Sequence, residues 1–126
     1  MSEPVFKHVI CPLVVLKVTE SQVKGDALSD ALRDEFLAAV TQVGAVFAVI
    51  DLQAVSFFAS TGIRPLLSMN RYLRERGGRM ILCNLSDNVR EIFEVTRLIS
   101  TQGAAPVTFE VAQDVPSAVA HLYKGA

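Results

Sequence analysis

Apolar positions along the chain fall into two alternating rhythms. Val14-Val15-Leu16-Lys17-Val18 is rich in β-branched residues and reads as a strand, with Phe6 to Ile10 as a weaker one before Pro12. Leu28, Leu32, Phe36 and Val40 then recur at every fourth position, with Ala31 and Ala39 filling the same face. That spacing predicts a helix with one apolar stripe, ending near Val43-Gly44. Asp26 stands before it as an N-cap, and Asp30 adds a second acid near the positive end of the helix dipole.

From Ala45 to Leu52 the chain is almost continuously apolar, the pattern of a strand buried on both faces. Met80-Ile81-Leu82-Cys83 repeats it after Gly77-Gly78, and Val107 to Val111 is a weaker third case. Ile63, Leu66, Leu67 and Leu73 predict a helix from Thr61 to Arg76. Val89, Ile92, Phe93 and Thr96 predict another from Asp87 to Arg97, with Ser86 as its cap. A last helix is expected over Val115 to Tyr123, with Asp114 as cap and Pro116 in its first turn.

The order is β-β-α-β-α-β-α-β-α, with no linker, repeat or low-complexity segment. Strands separated by helices of this length need crossover connections, which imply a largely parallel sheet. The opening pair is expected to be antiparallel. The fold class is therefore α/β, one domain over residues 1–126, with a mostly parallel mixed sheet of four to five strands and four helices.

Composition narrows the function. The chain has 126 residues, 51% hydrophobic and 20% charged, which suits one packed core and not disorder. A net charge of −1 argues against nucleic acid as a partner. Its distribution is uneven: Arg64 to Arg97 holds seven Arg against four acids. Exposed helix faces account for this as readily as an acidic partner does. No apolar run approaches the ~18 residues of a membrane span. Met1-Ser2-Glu3-Pro4 lacks the features of a signal peptide, and a cytoplasmic location is expected. Cys11 and Cys83 form no disulfide framework, and His8 with Cys11 lacks the second pair that a metal site needs. Cys83 reads as a small buried hydrophobe. No glycine-rich phosphate loop is present, so no cofactor is expected.

One segment reads as more than scaffold: Val49-Ile50-Asp51-Leu52-Gln53-Ala54-Val55-Ser56-Phe57-Phe58-Ala59-Ser60-Thr61-Gly62-Ile63. A buried strand ends at Asp51, and Ser-Thr-Gly then opens a helix. Sites in α/β sheets gather at such strand ends. Ser60 or Thr61 suits a helix cap, and Gly62 permits another surface to approach the backbone. Asp51 either satisfies turn donors or meets the Ser60 loop or a partner. Of Phe57 and Phe58, both pack in the core or one is a half-exposed anchor.

At these residues the chain resembles the STAS family, the anti-sigma-factor antagonists of bacteria. The family signature is a strand ending in Asp, then Asp-Ser-(Ser/Thr)-Gly-Leu and a helix. Here Asp51 matches the first element and Ala59-Ser60-Thr61-Gly62-Ile63 the second. Arg74-Glu75-Arg76-Gly77-Gly78 through Ser86 resembles the family's helix end, glycine turn, strand and capped helix, and Glu94 to Leu98 its third-helix ending. The resemblance implies a STAS fold and a regulatory binding protein, not an enzyme. Its implied partner is an anti-sigma factor that is also a serine kinase and phosphorylates Ser60, with Thr61 as second choice. Asp51, Phe58, Ser60, Thr61, Gly62 and Arg64 are the implied partner-contact candidates.

The chain departs from the pattern at three places. Ala59 replaces the acid before the phosphoacceptor, Arg64-Pro65 replaces a small residue and a non-proline, and Arg97 stands where many members have Gly. Pro65 lacks an N–H and is expected to disturb the start of the helix. Two alternatives follow: a non-phosphorylated STAS assembly, as homo-oligomer or scaffold subunit, and a small hydrolase using Ser60. The second lacks a positioned base and a Gly-x-Ser-x-Gly elbow.

Overall fold

A computed structural model of the chain describes residues 5–10, 13–96 and 109–124. Met1 to Pro4, Cys11, Pro12, Arg97, Leu98 and the Val107–Thr108 start of the expected last strand lie outside the described residues, as does the His8 side chain. In chain order the elements are β1 (Val5–Ile10), β2 (Leu13–Val18), β3 (Gln22–Val23), α1 (Asp26–Val43), β4 (Phe47–Asp51) and β5 (Phe57–Phe58). They continue as α2 (Ser60–Glu75), β6 (Arg79–Cys83), α3 (Asp87–Val95), β7 (Glu110–Ala112) and α4 (Val115–Lys124).

Five strands form the main sheet in the order β1-β2-β4-β6-β7. β1 runs antiparallel to β2, and every other neighbouring pair is parallel, as the helical crossovers require. The apolar runs are explained by burial on both faces. Val14, Leu16 and Val18, Ala48 and Ile50, and Met80 and Leu82 face the layer that contains Leu32, Phe36, Leu66, Leu73 and Phe93. The alternate residues Leu13, Val49, Ile81 and Cys83 meet Ala118 and Leu122 of α4. Burial pushes the Cys83 thiol up to about 12, with the Asp51 and Asp114 carboxylates adding to the shift. The thiol is inert packing at neutral pH, as expected from the sequence.

The end of α1 and the starts of α3 and α4 follow the capping rules, and the start of α1 is a correction. Gly44 closes α1 in the left-handed region at φ 66°, its N–H bonded to the Val40 carbonyl. The Ser86 hydroxyl accepts from the Val89 N–H at 3.2 Å, and Asp114 Oδ1 accepts from the Ser117 N–H at 2.9 Å. Asp26 is not the cap of α1: Gly25 holds that position, and Asp26 is the first helical residue. The chain turns into α1 at φ 87°, a conformation that glycine adopts without strain and aspartate does not.

The sheet's far edge is held by charge. Arg79 Nε donates to Glu110 Oε2 at 3.0 Å and Arg79 Nη2 donates to Glu110 Oε1, a bidentate pair joining β6 to β7. The hydrogen bond from Arg79, against the opposing effect of burial, holds the Glu110 carboxyl below its usual range. A depressed carboxyl contributes stability above its unfolded-state pKa and loses it as pH falls through the folded-state value. Glu110→Gln is therefore expected to lower stability near neutral pH by about 1 kcal/mol. In urea unfolding, that gap is expected to close as acid protonates Glu110 in the wild type.

Candidate functional site

The loop singled out in the sequence lies at the carboxyl end of the parallel strands, between β4 and α2. Asp51 ends β4 and is buried. Its Oδ1 accepts from the Gln53 N–H and from Asn84 Nδ2, each at 3.0 Å. Asn84, left-handed at φ 57°, follows β6 and donates its own N–H to the Gln113 carbonyl at 3.1 Å. Of the readings open for Asp51, the geometry gives the turn: its carboxylate ties the ends of β4 and β6 together.

Beyond Val55 the loop is caught by the segment before α1. The Ser21 carbonyl accepts from the Ser56 N–H at 2.7 Å, the Ser56 hydroxyl at 3.0 Å and the Phe57 N–H at 3.3 Å. Asn88 Nδ2 of α3 donates to the Ser56 carbonyl at 2.8 Å. β5 then pairs in parallel with β3, Gln22 opposite Phe57 and Val23 opposite Phe58. This pairing sets which face each residue takes. Phe58 turns inward, 3% exposed, with its ring 5.3 Å from that of Phe93. Phe57 turns outward at 39%. Phe58 is thus corrected from a partner contact to a core residue, and Phe57 is the exposed aromatic of the loop.

The start of α2 sits against the start of α1. Ala59 is its N-cap, in extended conformation, and donates its N–H to the Val23 carbonyl at 2.9 Å. Ser60 is the first helical residue and not a cap, another correction; no side chain caps this helix. The Ser60 side chain is exposed and makes no hydrogen bond to another described residue. Thr61 is committed: its hydroxyl accepts from the Gly25 N–H at 3.2 Å, and its carbonyl accepts from the Ser29 hydroxyl at 2.8 Å.

The Ser29 contact explains how α2 carries Pro65 in its interior. A proline nitrogen cannot donate to the carbonyl four residues back, here that of Thr61. The buried Ser29 hydroxyl supplies the missing donor, so α2 runs unbroken from Ser60 to Glu75 where the sequence predicted a disturbance.

Gly62 is required by contact within the chain. A Cβ at this position would stand 2.5 Å from the Val23 carbonyl oxygen and 2.6 Å from Val23 Cγ1. The surface that approaches Gly62 is β3. Arg64 lies outside, with Nη2 donating to Asp26 Oδ1 at 3.0 Å and the two side chains 60% and 82% exposed. Thr61, Ser29 and Arg64 together bind the two helix starts to each other.

Among the described residues, no group of His, Cys, Asp and Glu is arranged to hold a metal ion. No helix there is long and apolar enough to cross a membrane.

The fold and this strand–loop–helix junction define an α/β domain built on a mostly parallel sheet. The model of the STAS domain matches residues 26–115, and the chain belongs to the STAS domain family. It is similar to the anti-sigma factor antagonist BtrV of Bordetella bronchiseptica, 36% identical over 64 residues, 51% of this chain and 55% of that protein. The match thus spans about half the length of the curated relative. RsbS of Moorella thermoacetica, in a serine-to-glutamate variant, shares the fold at TM-score 0.73 and 18% identity, with 95% of each chain covered. The anti-sigma factor antagonist SpoIIAA has been solved unphosphorylated and, from Bacillus, phosphorylated. The unphosphorylated form gives TM-score 0.66 at 18% identity over 97% of this chain and 99% of that one. The phosphorylated form gives 0.65 at 19% over 93% and 96%.

The Ser29–Thr61 bond is testable through Pro65. Ser29→Ala is expected to cost about 1–2 kcal/mol, because it leaves a part-buried carbonyl without a donor. In a Pro65→Ala background the helix regains its own N–H, and the same substitution is expected to cost about 1 kcal/mol less. Urea midpoints of the four proteins measure this coupling. Equal costs in both backgrounds contradict the compensation.

Proposed function

We propose that this chain is an anti-sigma-factor antagonist switched by phosphorylation of Ser60, its partner being an anti-sigma factor that also serves as the serine kinase. On this reading the chain acts by being bound, needs no cofactor, binds no nucleic acid and works in the cytoplasm. The observation that supports it best is the contrast at the start of α2. Ser60 is exposed and its hydroxyl makes no hydrogen bond among the described residues, while the neighbouring Thr61 hydroxyl is occupied by Gly25. This favours Ser60 over Thr61 as the acceptor.

The chemistry fits a switch. A phosphate adds about −1.5 to −2 charges and three acceptor oxygens. At the first residue of a helix it meets the positive end of the dipole, which favours an anion there. A partner packed over Ser60, Phe57 and Arg64 would instead have to desolvate that charge. One phosphate, mapped to Ser60 by mass spectrometry, is expected on incubation with the cognate kinase and ATP. Ser60→Asp is expected to weaken partner binding at least tenfold, about 1.4 kcal/mol, by calorimetry. Binding indifferent to Ser60→Asp, with no phosphate found, rejects the switch.

Ala59 favours a second reading, a STAS subunit of a stable assembly that is never phosphorylated, because the acid of the family pattern is missing beside Ser60. Light scattering separates the two: an assembly whose mass is unchanged by kinase and ATP supports this one. The hydrolase reading has no support at Ser60, which shares no hydrogen bond with a histidine or carboxylate among the described residues.

A further inference from the structure

Ser60 and Arg64 stand four residues apart in α2, hence on one face of the helix. An anion preceding a cation by four residues is the favourable order for a helical pair. Arg64 is bound in the unmodified chain to Asp26 of α1, through an exposed pair that competition breaks easily. The other cation beside it, Arg33, is held on its own helix by Asp30 at 3.6 Å and Asp34 at 3.4 Å. Lys24 precedes Gly25 on the exposed side of the same junction. Arg64 also borders a recess of about 110 Å³ between α1 and α2, and its side chain is 60% exposed.

On the reading of Ser60 as phosphoacceptor, we propose that Arg64 is the internal partner of the phosphate: modification of Ser60 moves Arg64 from Asp26 to the phosphate and unties the starts of α1 and α2 at the surface. A phosphoserine offers nearly twice the charge of Asp26 and oxygens that match the guanidinium fork. Asp26 is left without its cation and beside a like charge. The modification therefore withdraws a cation from the face offered to a partner while adding an anion to it. The Thr61 bonds to Gly25 and Ser29 involve neither Arg64 nor Ser60, so the fold is kept.

The test uses the full chain with phosphoserine installed at position 60 during translation, so it needs no kinase. Failure of a kinase to modify Ser60 would count against the proposed function and leave this test standing. Phosphorus NMR follows the second ionisation of the phosphate. A cation paired with the dianion lowers that pKa, whereas the helix N-terminus acts equally on every variant. The wild-type residue is expected to place it about half a pH unit below Arg64→Gln, with Arg64→Lys between them. The gap should close in 1 M salt, where screening acts within about 3 Å. Equal titration in the Arg64 and Arg64→Gln chains overturns the pairing. A double-mutant cycle of Asp26→Asn with Arg64→Gln is expected to show coupling with serine at position 60 and none with phosphoserine. Coupling that survives the phosphate overturns the transfer.

Discussion

Val23 crosses the start of α2 at a distance that only glycine permits. Its carbonyl accepts the Ala59 N–H at 2.9 Å and stands 2.5 Å from the place a Cβ on residue 62 would occupy. This close crossing fixes the helix in rotation as well as position. Each residue of an α-helix turns about 100° from the last. With Gly62 pressed on β3 and Thr61 bonded to Gly25, residue 60 has only the solvent side left. The exposure of Ser60 is thus a consequence of backbone packing two residues away.

The same crossing explains why the departures from the family pattern leave the fold intact. Ala59 brings no capping side chain, but its N–H is used by β3 and its conformation remains that of a cap. Pro65 removes one bond of the helix, and a buried serine from the neighbouring helix replaces it. Arg64, large where the pattern is small, points outward and adds a tie to Asp26. In each case a group on the β3–α1 side supplies what the α2 sequence lacks. Local rules applied to α2 alone predict a disturbed helix because the compensating residues lie more than thirty positions earlier.

Elements with a sustained period were legible in the sequence. α1 through Gly44, the cap of α3 at Ser86, the cap of α4 at Asp114 and the doubly buried strands all stand where the pattern predicts them. What escaped has one physical character: it depends on pairing between distant residues. β3 and β5 are two residues each, too short to carry a period, and exist because they meet one another. That pairing alone decides that Phe58 is core and Phe57 exposed, a choice that two adjacent phenylalanines leave open. Gly62 was recognised as a place of close approach, but the approaching surface is visible only when β3 is placed. Asp26 and Ser60 were displaced from their capping roles by Gly25 and Ala59, through backbone angles that no side-chain preference encodes.

The solved structures cited above share this fold at 18–19% identity, so architecture is preserved while most side chains change. What a given member does must then rest on the few groups the fold presents without using. Asp51, Phe58, Gly62 and Thr61 are all used: each holds a strand end, a core contact, a crossing or a helix junction. Phosphate on Thr61 would place its bulk and charge on the oxygen that meets the Gly25 N–H, at the junction that positions the helix. Phosphate on Ser60 would displace no hydrogen bond of that hydroxyl, which makes none among the described residues, and the pair it would draw on, Arg64 with Asp26, is exposed. A modification that leaves the fold unchanged can act only on what touches the surface, the property required of a switch read by another protein. In the proposed mechanism, Ser60 has that role because the structure does not depend on its hydroxyl.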